Sequence, residues 1–155
     1  MANNYAQATL YPDIPSSDVT ELEIAMLQTA GWQSDRVEDG LYFFAPERAD
    51  EDINIESLGS EYTNPTLVGI LDARYYYRYD YKDILNKHIT VVDIFQNIIS
   101  RSSTLDYVTV EGACTCDKMR RGEFGGFAYY ITSDSVKYMN TSGFLAELLE
   151  ANHGE

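Results

Sequence analysis

The alternation of apolar and polar positions divides this chain into short helical and extended stretches. Leu22, Ala25, Met26 and Ala30 recur at helical spacing, which predicts a helix from about Asp18 to Ala30 with one buried face. Asp18 and Glu21 have the separation of an N-terminal capping pair, and Gly31 is a natural stop. Before them, residues 1–15 carry Pro12 and Pro15 and little periodicity, so they read as an arm with a short strand at 7–10. After the helix, residues 33–37 and 41–45 flank Glu38-Asp39-Gly40, and Asp-Gly supplies the positive backbone angles of a tight hairpin turn.

Residues 62–89 carry two competing signals. Asn64-Pro65 resembles a helix cap with a first-turn proline. Yet Tyr75, Tyr77, Tyr79 and Tyr81 alternate with Tyr76, Arg78 and Asp80, which is strand spacing. The reading adopted is a strand at 74–81 and a helical turn at 82–87. Thr90 then caps a helix running to Arg101, with Asp93 at the third position and Val91, Val92, Phe95, Ile98 and Ile99 on one face. A strand from 106 or 107 to 116 sets Val108, Val110 and Gly112 opposite Tyr107, Thr109 and Glu111. A second strand at 127–132 follows a glycine-bearing loop. Ser133-Asp134-Ser135 is read as the cap of a short helix through Met139, and Thr141 or Ser142 as the start of a last helix bearing Phe144, Leu145, Leu148 and Leu149. Helices interleaved with paired strands predict an α+β fold: an antiparallel or mixed sheet with helices packed on one face.

Composition narrows the picture. At 155 residues and 45% apolar the chain has the size of one domain and enough apolar material for a core. The densest apolar run, 41–45, is strand-sized, and no basic segment leads into an apolar one at the N-terminus. The expectation is a cytoplasmic protein without membrane contact. The net charge of −14 is uneven: residues 1–61 hold 13 acids and 2 bases, against 12 acids and 9 bases in 62–155. Such a field repels phosphates and anionic lipids, so direct nucleic-acid binding is not expected, whereas a basic protein would be attracted. The bland alternative is a surface that only keeps the protein soluble.

Candidate chemistry is sparse. The stretch 47–61 contains Glu47, Asp50, Glu51, Asp52, Glu56 and Glu61 with a single base, and reads as a solvated loop or irregular helix that contacts a partner. The tyrosine run adds Tyr75, Tyr77, Tyr79 and Tyr81 as contact residues, because tyrosine joins apolar area to a polar tip. Lys118, Arg120 and Arg121 with Gly125 and Gly126 form the alternative site, where basic groups and glycine amides would hold an anion. No helix-opening phosphate loop follows them, and a plain hairpin is the simpler reading. Cys114 and Cys116 share a strand face at a spacing awkward for a disulfide, and two scattered histidines supply no zinc set. They are read as small hydrophobes, with no metal or cofactor. No nucleophile–base arrangement is evident, so no catalytic residue is assigned.

Residues 110–120 (Val-Glu-Gly-Ala-Cys-Thr-Cys-Asp-Lys-Met-Arg), with Gly122, Phe124-Gly125-Gly126 and Tyr138-Met139-Asn140-Thr141-Ser142, carry a resemblance. In these stretches the chain resembles small acidic proteins carried by bacterial conjugative elements and phages. The resemblance implies a mobile-element context and brings no activity and no functional residue. The leading expectation is a non-enzymatic acidic binding protein that inhibits a basic host protein of a nucleic-acid-directed defence system. Two rivals are a ligand binder or enzyme using the 117–126 loop, and an assembly protein pairing through the tyrosine-rich strand.

Overall fold

The computed structural model describes residues 2–54, 57–58 and 89–153. Their elements are β1 (Asn4–Tyr11), β2 (Ile14–Pro15), a 3-10 turn (Ser16–Asp18), α1 (Glu21–Thr29), β3 (Gln33–Val37) and β4 (Gly40–Ala45). Then follow α2 (Val91–Arg101), β5 (Tyr107–Cys116), β6 (Gly125–Thr132), β7 (Val136–Asn140) and α3 (Thr141–His153). The seven described strands form one antiparallel sheet, so the fold is α+β. β4 pairs with β3 along one edge and with β2 and β1 in succession along the other. From β1 the sheet continues through β5 and β6 to β7.

Strand alternation sorts the residues into two faces. Ala8, Leu10, Phe43, Ala45, Val108, Val110 and Ile131 point to one face and join Leu22, Met26 and Leu27 of α1 with Val91, Ile94, Phe95, Ile98 and Ile99 of α2 in a single core. At its centre Phe95 meets Trp32 and Phe43 edge-on, with ring centroids 5.7 and 6.0 Å away. The opposite face is left uncovered by α1 and α2 and carries two stacked aromatic pairs, Tyr42–Phe44 and Tyr107–Tyr130.

Several expectations change. The N-terminal stretch is a central strand: β1 is paired with β5 over its whole length and with β4 at Ala8 and Thr9. α1 is capped by Thr20, with Glu23 closing the capping box; Asp18 instead accepts a hydrogen bond from the Ser102 hydroxyl at 2.6 Å. Gly40 does not take a positive φ in the hairpin turn. It opens β4, where an added Cβ would lie 2.5 Å from the Ile14 carbonyl oxygen, so the residue permits β2 to close on β4. The segment after Ser133-Asp134-Ser135 is strand β7 and not a helix, since those residues form the β6–β7 turn. α2 keeps its predicted start, Thr90–Asp93 capping box and end, while its buried face gains Ile94 and holds Val92 only partly covered. α3 forms as expected, but Phe144, Leu145, Leu148 and Leu149 are exposed.

Candidate partner-binding site

The part of the acidic segment among the described residues, 47–54, is not a free loop. Beyond β4 and Pro46 its backbone is tied to three other parts of the fold. The amide of Ala6 donates to the Glu47 carbonyl at 2.9 Å, and the amide of Ala49 donates to the Ala6 carbonyl at 2.8 Å, so the chain straddles β1. The Asp50 amide donates to Ala30 at the end of α1, and the Val91 amide at the start of α2 donates to the Glu51 carbonyl at 2.8 Å. The Ile53 amide completes the run on the Ile89 carbonyl. Gly31 makes this docking possible: its φ is +86°, and a Cβ there would sit 1.8 Å from the Arg48 carbonyl oxygen. With the backbone held, Ile53 turns into the core and Ala49 is half-buried, while Glu47, Asp50, Glu51 and Asp52 are exposed. The only base in the strip, Arg48, stands 3.7 Å from Asp50 in an exposed pair that neutralises little.

Beside this strip, on the helix-bearing side of the sheet, lies a cleft of about 480 Å³. Trp32, Phe95, Phe127, Tyr129 and Tyr138 supply aromatic walls, and Asp50, Glu51 and Thr90 supply polar groups. The described lining contains no Lys, Arg or His. Tyr129 links wall and strip, for its hydroxyl donates to Glu51 Oε1 at 2.9 Å. Its ring lies 4.6 Å from that of Tyr138 and meets Phe127 edge-on at 6.2 Å. Burial first, then the hydrogen bond and the charge of Glu51, and then Tyr138 push the Tyr129 phenol well above its ordinary range, so it remains a donor. A larger hollow of about 570 Å³ on the opposite face, between Thr9, Phe44 and Glu111, is a shallow dip over the strands. We favour the smaller cleft because aromatic faces and carboxylates converge there, an arrangement suited to an organic cation.

The remaining predicted residues fall elsewhere. Lys118, Arg120 and Arg121 are exposed on the β5–β6 hairpin, whose positive φ angles belong to Met119 and Gly122. Gly125 and Gly126 lie within β6, and the Gly126 amide already donates to Thr141 Oγ1 at 3.0 Å. The Gly126 amide is thus already engaged within the fold. Cys114 and Cys116 are free thiols, half-buried and buried respectively, with Cys114 lining the cleft. Among the described residues no group of three or more His, Cys, Asp or Glu is placed to hold a metal ion. Glu56, Glu61, Tyr75, Tyr77, Tyr79 and Tyr81 lie outside the described residues. Sequence reasoning missed Trp32, Phe127, Tyr129 and Tyr138. The alternation Phe127, Tyr129, Ile131 was the available signal for the wall, and Val136, Tyr138 repeats it after the turn.

Among the described residues no helix is long and apolar enough to cross a membrane. Comparison with protein-family models, curated proteins and solved structures found no significant match to this chain.

Proposed function

We propose that the chain is a non-enzymatic binding protein whose acidic strip and aromatic cleft engage a basic host protein, and that it acts as an inhibitor of a nucleic-acid-directed defence system. One observation carries the reading: Glu47, Asp50, Glu51 and Asp52 are exposed on a backbone hydrogen-bonded to β1, α1 and α2, next to aromatic walls. A pre-ordered strip loses little conformational freedom on binding, so its carboxylates are suited to replace phosphates in a basic groove. The cleft adds a place where a lysine or arginine side chain from the partner would rest its stem on Tyr129 and Tyr138 with its charge at Glu51. The mobile-element context, taken from the resemblance, supplies the host defence setting.

The test is capture from bacterial lysate on the immobilised protein. Nucleic-acid-associated basic proteins are expected to be retained at about 50 mM salt, to elute by about 0.5 M as screening shortens the reach of charge, and to be displaced by duplex DNA. The triple variant Asp50→Lys, Glu51→Lys, Asp52→Lys is expected to lose them while staying folded, with stability lower by about 1 kcal/mol for the lost Tyr129–Glu51 hydrogen bond. Retention that is unchanged by salt and by the triple substitution would refute the proposal.

A further inference from the structure

The helix α3 presents the wrong side to water. Over 13 residues it runs for about 20 Å, and every position whose side chain is described is exposed. Phe144, Leu145, Leu148 and Leu149, neighbours at separations of one, three and four, form one continuous stripe, and they are 53%, 56%, 45% and 61% exposed. Glu147 and Glu150, the acids of this helix among the described residues, fall on the opposite side of the helical wheel. An amphipathic helix of this pattern normally turns its stripe to its own core, whereas here α3 lies mainly against β6 and β7 and the stripe stays exposed. Four large apolar side chains on one helix face make a patch of the size that marks an interaction surface in a soluble protein.

We infer that this stripe is the contact between two copies of the chain, joined by antiparallel α3 helices about a two-fold axis. The occupant follows from charge and shape. The stripe bears no ionisable group, so a basic partner of the acidic strip finds nothing complementary on it, while an identical stripe does. Antiparallel pairing aligns the two helix dipoles favourably and leaves Glu147 and Glu150 of each copy pointing away from the junction. The rest of the molecule, at net −14, repels its copy, and the contact sits on its least charged helix face. A helix of this length with the adjoining edge strand β7 offers on the order of 500–800 Å² per copy, against the ~800 Å² of a standard interface half. The inference stands apart from the partner proposal and has the opposite salt dependence: added salt screens the repulsion and leaves the apolar contact intact, so self-association holds or tightens.

Light scattering coupled to size exclusion is the measurement, over a concentration series at low and high salt. The expected mass is twice the 17.6 kDa of one chain. The double variant Leu145→Glu, Leu148→Glu is expected to weaken the dimer by about 100-fold or more and to leave the melting temperature of the monomer unchanged. A second variant, Val136→Pro, probes the edge strand. Opposite Ile131, in register with a hairpin closed by the Thr132 amide on the Ser135 carbonyl, Val136 turns its own amide away from β6. Dimerisation that survives Val136→Pro and is lost with the leucine pair supports helix pairing. A monomer at every concentration overturns the inference. So does a dimer lost with Val136→Pro and kept with the leucine pair replaced, which would assign the contact to the strand edge, or a large stability loss in the leucine variant, which would mean that the stripe is buried within one chain.

Discussion

Glu23 is buried to 1% exposure and is the carboxylate on which the two core helices meet. It accepts from the Thr20 amide and hydroxyl at 3.0 and 2.9 Å, closing the α1 cap, and it pairs with Arg101 at the end of α2. Arg101 also donates to the Asp18 carbonyl at 2.8 Å. Removing one partner of such a pair leaves an uncompensated charge in the core, and Arg101 is itself partly exposed. Arg101→Ala is therefore expected to cost about 2–3 kcal/mol, somewhat less than breaking a fully buried pair, measured as a shift in urea midpoint. A change below about 0.5 kcal/mol would mean that water reaches Glu23. Gly31 and Gly122 offer a controlled comparison, because both have positive φ but only Gly31 is crowded. Gly122→Ala is expected to cost about 1 kcal/mol from backbone strain alone, and Gly31→Ala clearly more, because its Cβ also collides with Arg48. Equal losses would show that the strip yields to the added methyl group. Tyr129 adds a pH signature. Its folded phenol titrates above the unfolded value near 10, so its contribution is fully present below about pH 10 and is lost as pH rises toward the folded value. Tyr129→Phe is expected to remove that alkaline dependence, read from melting temperatures between neutral pH and about pH 11.

At the scale of elements, the parts that were readable are those whose signal is local. α2 was legible end to end because Thr90, Asp93 and five apolar positions agree on one helix, and β5 because Val108 and Val110 alternate with polar neighbours. Each capping box is expected to contribute about 1 kcal/mol, so Thr20→Ala and Thr90→Ala should each lower stability by that amount in equilibrium unfolding. A null result at Thr90 would show that the Asp52–Thr90 bridge, not the cap, fixes the start of α2. β1 was underread for a physical reason. Its core-facing positions include Ala6 and Ala8, too small to give a strong period, and β5, which pairs with its whole length, is about a hundred residues away. β7 was misread because Ser and Asp serve equally as helix caps and as turn formers; here the Thr132 hydroxyl receives the Ser135 amide and closes a hairpin. The candidate site divides along the same line. Asp50 and Glu51 were visible as charge density, but their junction with Tyr129 depends on a chain crossing between residues 78 apart. The stripe of α3 was legible as apolar spacing, whereas its exposure belongs to packing, which periodicity does not encode.

On the whole molecule, the two charged features are anchored near each other on β1 and the residue before it. The hairpin bearing Lys118, Arg120 and Arg121 is tied to the chain start, where the Asp117 amide donates to the Asn3 carbonyl, and the acidic strip docks on Ala6. Three residues of extended chain separate these anchors, about 10 Å, which is comparable to a Debye length at 0.1 M salt. The basic hairpin is thus rooted within about a Debye length of the strip's anchor, and its positive groups oppose the strip's pull on any basic molecule. Arg120→Ala with Arg121→Ala is expected to leave stability within about 1 kcal/mol, because both side chains are exposed and occupy a turn. With a partner isolated by capture, the same pair of substitutions is expected to raise the association rate several-fold at low salt and not at high salt, opposite in sign to the Asp50–Glu51–Asp52 reversal. Stopped-flow or surface-based rates at two ionic strengths measure both. If loss of the arginines slows association instead, the partner meets the hairpin through an acidic group of its own. The hairpin would then be a contact site of the alternative, anion-binding kind, and the acidic strip would lose its place as the sole electrostatic determinant.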